Sequence, residues 1–205
     1  MKVLDPAAFQ IRKEAILQHA RHLFAGKGYA ETSMDDIAQA CHVQKASLYH
    51  YFDSKRKILQ EMVDLELAQW WAGRLQEYAS SPNFQETLAR IGTTFLKDMD
   101  DIRRQEFFKI IYFESHKHPE IRTALQESPM HNRKGLYAIF EGHLAGRLPQ
   151  TRIAMLITQF MGGLIHYASL SKLRGENMCY EAFDDATYIG QLVDIFVKGI
   201  PSGNQ

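Results

Sequence analysis

Hydrophobic residues are spaced along most of this chain as they are in helices. Near the N-terminus they recur every three or four positions, which is the spacing of one face of an α-helix: Phe9, Ile16, Leu17, Ala20, Leu23 and Phe24. Asp5 before Pro6 is typical of a helix start, and Gly26 and Gly28 end the pattern. The sequence has no sustained period-two pattern, which is the spacing that would predict strands. We therefore predict an all-α protein of about nine helices.

A second, shorter helix is predicted from residue 34. Thr32 and Ser33 offer hydroxyl groups as N-caps, and two aspartates place negative charge at its positive end. Its apolar stripe follows helical spacing: Met34, Ile37, Ala38 and Cys41. The four residues 41–44 then form a turn before a third helix begins at Lys45, which is the spacing of a helix-turn-helix.

The third helix leaves a polar surface after Leu48 and Phe52 turn inward. Gln and Ser side chains can hydrogen-bond base edges, Lys can bind phosphate or guanine, and Tyr hydroxyls can reach phosphate oxygens. A solvated face of an ordinary helix is the alternative, but helices this short bury little area unless one of them meets another surface. We predict DNA contacts from these residues: Thr32, Ser33, Met34, Gln44, Lys45, Ala46, Ser47, Tyr49, His50, Tyr51 and Lys55.

The run 48–52, Leu-Tyr-His-Tyr-Phe, followed by Lys55, resembles the N-terminal domain of the TetR/AcrR family of bacterial transcriptional regulators. The resemblance extends upstream through 37–38 and 24–29, about the first quarter of the chain. His42 stands where the family usually has Gly, at a position that often needs a positive φ, which His tolerates at some strain. Gln44 replaces the commoner Ser or Ala, so the preferred bases differ while the docking mode is kept.

Further helices are predicted over 54–78, 84–99, 103–117, a short piece after Pro119, 128–146, 149–174 and 180–198. We place a helix-turn-helix DNA-binding domain at residues 1–53 and a larger helical ligand-binding and dimerisation domain at 54–205. The helix over 54–78 is expected to be continuous and to act as a lever between the domains. Trp70 and Trp71 would then report on its movement.

The second domain is rich in large apolar side chains, most of which are expected to form its core. The family resemblance implies a small-molecule pocket between its middle helices, with these candidates: Phe95, Phe108, Tyr112, Tyr137, Gln159 and His166. It also implies a four-helix homodimer interface made by the last two helices of each chain. The candidates there are Phe160, Gly163, Tyr167, Leu192 and Phe196.

The segment 153–171 carries no formal charge, which raises a transmembrane helix as a rival interpretation. Its small and polar residues argue against that, because polar groups inside a membrane are costly: Thr158, Gln159, Gly162, Gly163, His166, Ser169 and Ser171. The two cysteines, Cys41 and Cys179, have neither metal-site spacing nor a disulfide framework. With no signal peptide at its start, the chain is expected in the cytoplasm.

Net charge is zero overall, but it is unevenly distributed. Residues 1–60 hold nine Lys and Arg against six Asp and Glu, a net charge of +3, which leaves −3 for the remainder. This asymmetry is modest, and its direction favours DNA binding by the N-terminal part.

Nine histidines raise the possibility of a metal site or an enzyme. His116 and His118 point to different sides of a helix, and His19 and His22 lie beside the DNA-binding residues, where surface positions explain them. No nucleophile motif, phosphate loop or zinc spacing occurs. We predict no enzyme, no metal and no cofactor.

The sequence instead predicts a ligand-responsive transcriptional regulator, a repressor that binds a palindromic operator as a homodimer. An apolar or aromatic small molecule would release it from the DNA. The alternatives are a DNA-bound adaptor that responds to a protein partner and a metal-binding helical enzyme.

Overall fold

The structure is a computed structural model that describes residues 5–128, 133–174 and 183–200. No strand occurs in these ranges, which confirms the all-α prediction. The chain forms two compact units. Unit 1 combines residues 1–70 with 103–131, and unit 2 combines 71–102 with 132–205. The boundary predicted between residues 53 and 54 therefore lies inside unit 1.

Eleven α-helical segments occur in the described ranges: α1 (Pro6–Gly26), α2 (Met34–Ala40), α3 (Lys45–Tyr49), α4 (Lys55–Trp71), α5 (Arg74–Ala79), α6 (Phe84–Asp98), α7 (Ile102–Lys109), α8 (Pro119–Glu127), α9 (Arg133–Leu144), α10 (Gln150–Ala168) and α11 (Asp185–Lys198). Two of them continue into π-helical turns, α7 over Ile110–Glu114 and α10 over Ser169–Arg174. Two predicted helix starts, one near Pro129 and one near Tyr180, lie outside the described residues. Cys179 also lies outside them.

Short-range hydrogen bonds explain where the first two helices begin. The Asp5 carboxylate accepts from the Ala7 backbone N–H at 3.2 Å, which caps α1. Ser33 caps α2 in a reciprocal box: its hydroxyl accepts from the Asp36 N–H at 3.1 Å, and the Asp36 carboxylate accepts from the Ser33 N–H at 2.7 Å. Thr32, the other cap candidate, is buried and donates its hydroxyl to the Gly28 carbonyl at 2.7 Å.

The core of unit 1 joins the helix-turn-helix to segments far away in sequence. Side chains from α1, α2, α3 and α4 bury there together with side chains from α7, the π-helical turn and α8: Ile16, Ala20, Phe24, Ile37, Leu48, Phe52, Ile58, Val63, Phe107, Ile110 and Ile121. Each fully buried side chain of this size contributes about 1.5–3 kcal/mol. Helices α1, α2 and α3 therefore share one core with α4, α7 and α8.

A buried cluster of four charges crosses this unit. Arg21 of α1 donates to Glu66 of α4 at 2.5 Å and to Glu106 of α7 at 3.1 Å, and Arg104 donates to Glu66 at 3.0 Å. His22 Nδ1 lies 2.6 Å from the second oxygen of Glu106. The two arginines balance the two glutamates, so burial leaves no net charge, and the geometry ties α1 to α4 and α7.

The predicted continuous helix over 54–78 is wrong. Helix α4 ends at Trp71, Gly73 takes φ +74, and α5 begins at Arg74. Left-handed backbone cannot continue a right-handed helix, and Gly adopts it without the Cβ clash of other residues. The two tryptophans stand at this break, with Trp70 in unit 1 and Trp71 in unit 2.

In unit 2, α6, α10 and α11 pack closely. A Cβ at Gly92 of α6 would lie 3.2 Å from Ile189 of α11 and 3.5 Å from Leu164 of α10, so these helices approach at a residue without a side chain. Phe140 of α9 and Phe160 of α10 are fully buried in the same unit. The helices predicted over 84–99, 149–174 and 180–198 correspond to α6, α10 with its π-helical turn, and α11.

The segment Gln150–Leu173 is long and apolar enough to cross a membrane, judged by length and composition alone. One of its faces is buried within unit 2 by Ile153, Leu156, Phe160, Leu164 and Ala168. The opposite face exposes Thr158, Gln159 and His166. Such a two-sided helix is typical of a protein surface or interface.

Candidate nucleic-acid interface

The turn between α2 and α3 sets the direction of the second helix. The Cys41 and Val43 N–H groups donate to Ile37 and Ala38 carbonyls at 3.0 Å, and His42 takes φ +54 between them. The positive φ expected at His42 is thus present. His adopts this backbone more readily than most residues with a Cβ. The left-handed residue ends α2 and allows α3 to begin at Lys45.

The outer surface of α3 is polar and accessible. Leu48 and Phe52 are buried below it, while Gln44, Lys45, Ala46, Tyr49 and His50 are exposed and Ser47 is half-buried. Gln44 occupies the N-cap position, yet its side chain makes no capping hydrogen bond. The Gln44 amide at the start of this helix is therefore available to a partner.

Three of the predicted contact residues have packing roles. Tyr51 stacks on Phe9 of α1 with ring centroids 4.7 Å apart, and Met34 packs against the core of unit 1. Thr32 is only 1% exposed, so its side chain cannot reach an external ligand. The DNA-contact prediction for Thr32 is corrected to a structural role, whereas Ser33 next to it is exposed.

Lys55 also has a structural position. Its ammonium donates to the carbonyls of Tyr29, Ala30 and Thr32 at 2.7, 3.1 and 2.8 Å, and lies 4.5 Å from the centre of the Tyr29 ring. An ammonium has three N–H donors, and these bonds use all of them. Burial lowers the Lys55 pKa. In place of the predicted phosphate contact, Lys55 holds the loop that leads into α2.

Two other lysines of this region form ion pairs. Lys27 donates to Asp36 at 2.9 Å, and Lys45 donates to Asp35 at 2.7 Å. The bonds from Lys27 and then Ser33 hold the pKa of Asp36 well below its usual range. The positive charge counted in residues 1–60 is thus largely matched inside unit 1, and neutral donors dominate the surface of α3.

The residues predicted to line a ligand pocket occur in both units. Phe108 and Tyr112 belong to unit 1, where their rings stack at 5.1 Å, whereas Phe95 and Tyr137 belong to unit 2. The Tyr137 hydroxyl is buried and has no hydrogen-bond partner among the described residues. Gln159 and His166 are corrected: they lie on the exposed face of α10, pointing away from the core of unit 2.

Within one chain, the residues predicted for the dimer interface hold α10 and α11 together. Phe160 is fully buried and packs edge-on against Phe196 at 5.3 Å. Gly163 lies against Leu192, and Tyr167 stacks on Tyr188 at 4.0 Å. Helical periodicity identified the apolar helices, but it could not tell which of their two sides pairs internally.

The outward sides of the same two helices carry exposed residues, two of which are large and apolar. Met155 is 60% exposed and Ile195 is 67% exposed. Along α10 the exposed positions follow at spacings of four, three and four: Met155, Gln159, Gly162 and His166. That spacing is itself a helical stripe, and it was the available signal. Among the described residues, no group of three His, Cys, Asp or Glu side chains could hold a metal ion.

A capped helix, a four-residue turn and a second helix with an accessible polar surface define a helix-turn-helix protein. Residues 16–62 match the family model described as bacterial regulatory proteins, tetR family. The match covers 47 of the 205 residues of the chain and assigns this segment to that family. This assignment supports the prediction that it is not an enzyme.

The sequence relatives match about a quarter of the chain. It is 47% identical over 51 residues to the biofilm operon icaADBC negative transcriptional regulator IcaR of Staphylococcus aureus, which covers 25% of this chain and 27% of that protein. The chain thus spans about a quarter of the length of these relatives.

Solved structures resemble nearly the whole fold. NalD of Pseudomonas aeruginosa, the secondary repressor of the MexAB-OprM multidrug efflux pump, gives a TM-score of 0.70 at 20% identity over 94% of this chain and 97% of that chain. FadR of Bacillus subtilis in complex with stearoyl-CoA gives 0.64 at 18% identity over 92% and 99%. At such identities the likeness supports the fold.

Proposed function

We propose that this protein is a transcriptional repressor that binds operator DNA through α2 and α3. The observation that carries the proposal is the exposed surface of α3, which begins with the uncommitted amide of Gln44 and rests on a buried Leu48. The matched relative IcaR is a negative transcriptional regulator, and the family-model match over residues 16–62 covers this region. Binding to chromosomal DNA would place the protein in the cytoplasm.

In this proposal α3 enters the major groove, where the N-terminal residues of a recognition helix meet base edges. Gln44 can bind an adenine with both atoms of its amide, and Ser47 can bond to any of several base edges. Tyr49, His50 and Ser33 would donate to backbone phosphates. Phosphate contacts fix position, and base contacts choose the sequence.

The protein would bind as a homodimer through the outward faces of α10 and α11. Met155 on α10 and Ile195 on α11 are exposed large apolar side chains on two adjacent helices. Two copies of this pair would form a four-helix interface. A dimer supplies two α3 helices for the two halves of a palindromic operator.

We also propose that a small apolar molecule releases the repressor. Tyr137 supports this, because a buried hydroxyl without a partner is costly and a polar group of a ligand would satisfy it. FadR, which shares the fold, was solved with stearoyl-CoA. A response to a protein partner is the competing proposal.

The first test is a gel shift with DNA flanking the gene, with unrelated duplex as competitor. We expect a preferred site with two-fold symmetry; binding without sequence preference would overturn the proposed function. The second is titration of long-chain acyl compounds against the protein alone and saturated with operator. An inducing ligand should bind more weakly to the DNA complex, typically by about 5–150-fold. Equal affinities would overturn ligand control by these compounds.

A further inference from the structure

One ion pair lies directly on the proposed DNA-binding surface. Lys45 is the first residue of α3, and its ammonium donates to the Asp35 carboxylate in the first turn of α2 at 2.7 Å. The two side chains are 52% and 64% exposed. The pair therefore stands in solvent at the start of the proposed recognition helix, where it does not serve the core.

Asp35 is not needed to cap α2. Ser33 and Asp36 supply the capping box, and Asp36 also accepts from Lys27. A second aspartate in this turn adds a negative charge close to the path of the DNA phosphates, where it is unfavourable for simple attraction. Because Asp35 lies beside Lys45, its charge acts on the Lys45 ammonium.

The bond to Asp35 neutralises Lys45 and also limits where its ammonium can point. Hydrogen bonding to Asp35 is the main factor that raises the Lys45 pKa. An ammonium has three donors, so two remain for DNA while the pair is closed. A phosphate or base edge at one defined position can be reached in this state, whereas phosphates at variable positions require the pair to open.

We propose that Asp35 is a specificity-determining residue that restrains Lys45 and so weakens binding to non-operator DNA. This inference rests on the proposed function of operator binding. In the operator complex the pair stays closed and Lys45 makes one oriented contact. On unrelated DNA, where binding is almost entirely electrostatic, opening the pair reduces affinity.

The test compares Asp35→Asn with the unaltered protein on operator and on unrelated duplex, over a range of salt concentrations. The variant removes the charge and keeps the size of the side chain. We expect binding to unrelated DNA to tighten about two- to fivefold, the range that corresponds to an exposed ion pair. Its log–log salt slope should steepen by about 0.9, the value for one added phosphate contact. Operator affinity should change less, so the specificity ratio falls.

Two controls isolate Lys45. Asp53→Asn removes the same charge from another exposed residue of unit 1, and it should leave the specificity ratio unchanged. In a Lys45→Ala background, Asp35→Asn should change the affinities for both DNAs by the same factor, so the specificity ratio stays constant.

The role of Asp35 would be overturned by an unchanged specificity ratio in Asp35→Asn, by an equal change of the ratio in Asp53→Asn, or by a change of the ratio that persists without Lys45. These outcomes leave the operator preference of the unaltered protein intact. Loss of that preference in the unaltered protein would instead overturn the proposed function, and this inference with it.

Discussion

At the scale of single residues, the interface divides into side chains that are free and side chains that the fold already uses. Gln44, Tyr49 and His50 are exposed on α3 or at its ends. Thr32 and Lys55 instead donate hydrogen bonds to carbonyl groups of the loop between α1 and α2. Residue type alone favours Lys55 as a phosphate ligand. In the structure, three nearby carbonyls accept the hydrogen bonds of its ammonium, which can donate only three.

We predict that substitutions on α3 separate base contacts from phosphate contacts. Gln44→Ala or Ser47→Ala should change which bases are preferred, by about 1–3 kcal/mol for each well-formed hydrogen bond to a base that the substitution removes. Tyr49→Phe should weaken binding to all sequences about equally, because phosphate contacts carry no sequence information. Binding to a randomised operator library measures both effects. A changed base preference in Tyr49→Phe, with none in Gln44→Ala, would contradict this placement of α3.

Lys55→Met is expected to act through stability. Removal of the ammonium leaves three carbonyl groups without their donor, and the free energy of unfolding should fall by about 1–3 kcal/mol. Lys57→Met is the matched control, since Lys57 is half exposed and lies 3.6 Å from Glu61 in a surface pair. Urea denaturation measures the difference. If Lys55→Met kept full stability and only reduced the salt dependence of DNA binding, the phosphate role would be correct.

At the scale of elements, glycine and the capping residues determine where the helices stop. The Ser33–Asp36 box starts α2, His42 ends it, and Gly73 separates α4 from α5. A continuous helix from 54 to 78 would have formed a rigid connection between the units. Instead, α4 ends at the point where the chain passes from unit 1 to unit 2, so a signal along this route must pass through the Gly73 break.

Gly73→Ala should destabilise the protein by about 1–2 kcal/mol, because a Cβ is unfavourable in left-handed backbone. Gly142→Ala is the control: Gly142 lies inside α9, and an added Cβ there meets nothing within 4 Å. That substitution should stabilise the helix by about 0.5–1 kcal/mol. Thermal unfolding measures whether stability falls in Gly73→Ala and rises in Gly142→Ala. A stabilised Gly73→Ala would show that α4 and α5 can join into one helix.

At the scale of the whole molecule, the proposed function requires two copies of the chain. The residues predicted for the dimer interface pack α10 on α11, so charges introduced at Gly163 or Phe196 would disrupt unit 2 itself. Ile195 and Met155 are better probes because they are exposed.

Ile195→Asp is expected to yield a folded monomer with reduced operator affinity. Ile11→Asp is the control, since Ile11 is 70% exposed on α1 in unit 1, and this variant should remain dimeric. Sedimentation velocity gives the oligomeric state, and circular dichroism verifies the fold. A dimer that persists in Ile195→Asp with unchanged stability would exclude this face as the interface.

Local sequence patterns determined the helices, the helix-turn-helix and the family resemblance, because caps, turn spacing and apolar periodicity act between residues close in the chain. Only the tertiary structure showed that α7 and α8 complete the core shared with the helix-turn-helix, that Thr32 and Lys55 are used internally, and which side of α10 faces out. These features depend on contacts between distant segments, such as Arg21 with Glu106. Hydrophobic spacing shows that a helix has a buried face, but the partner of that face is set by the packing of the whole chain.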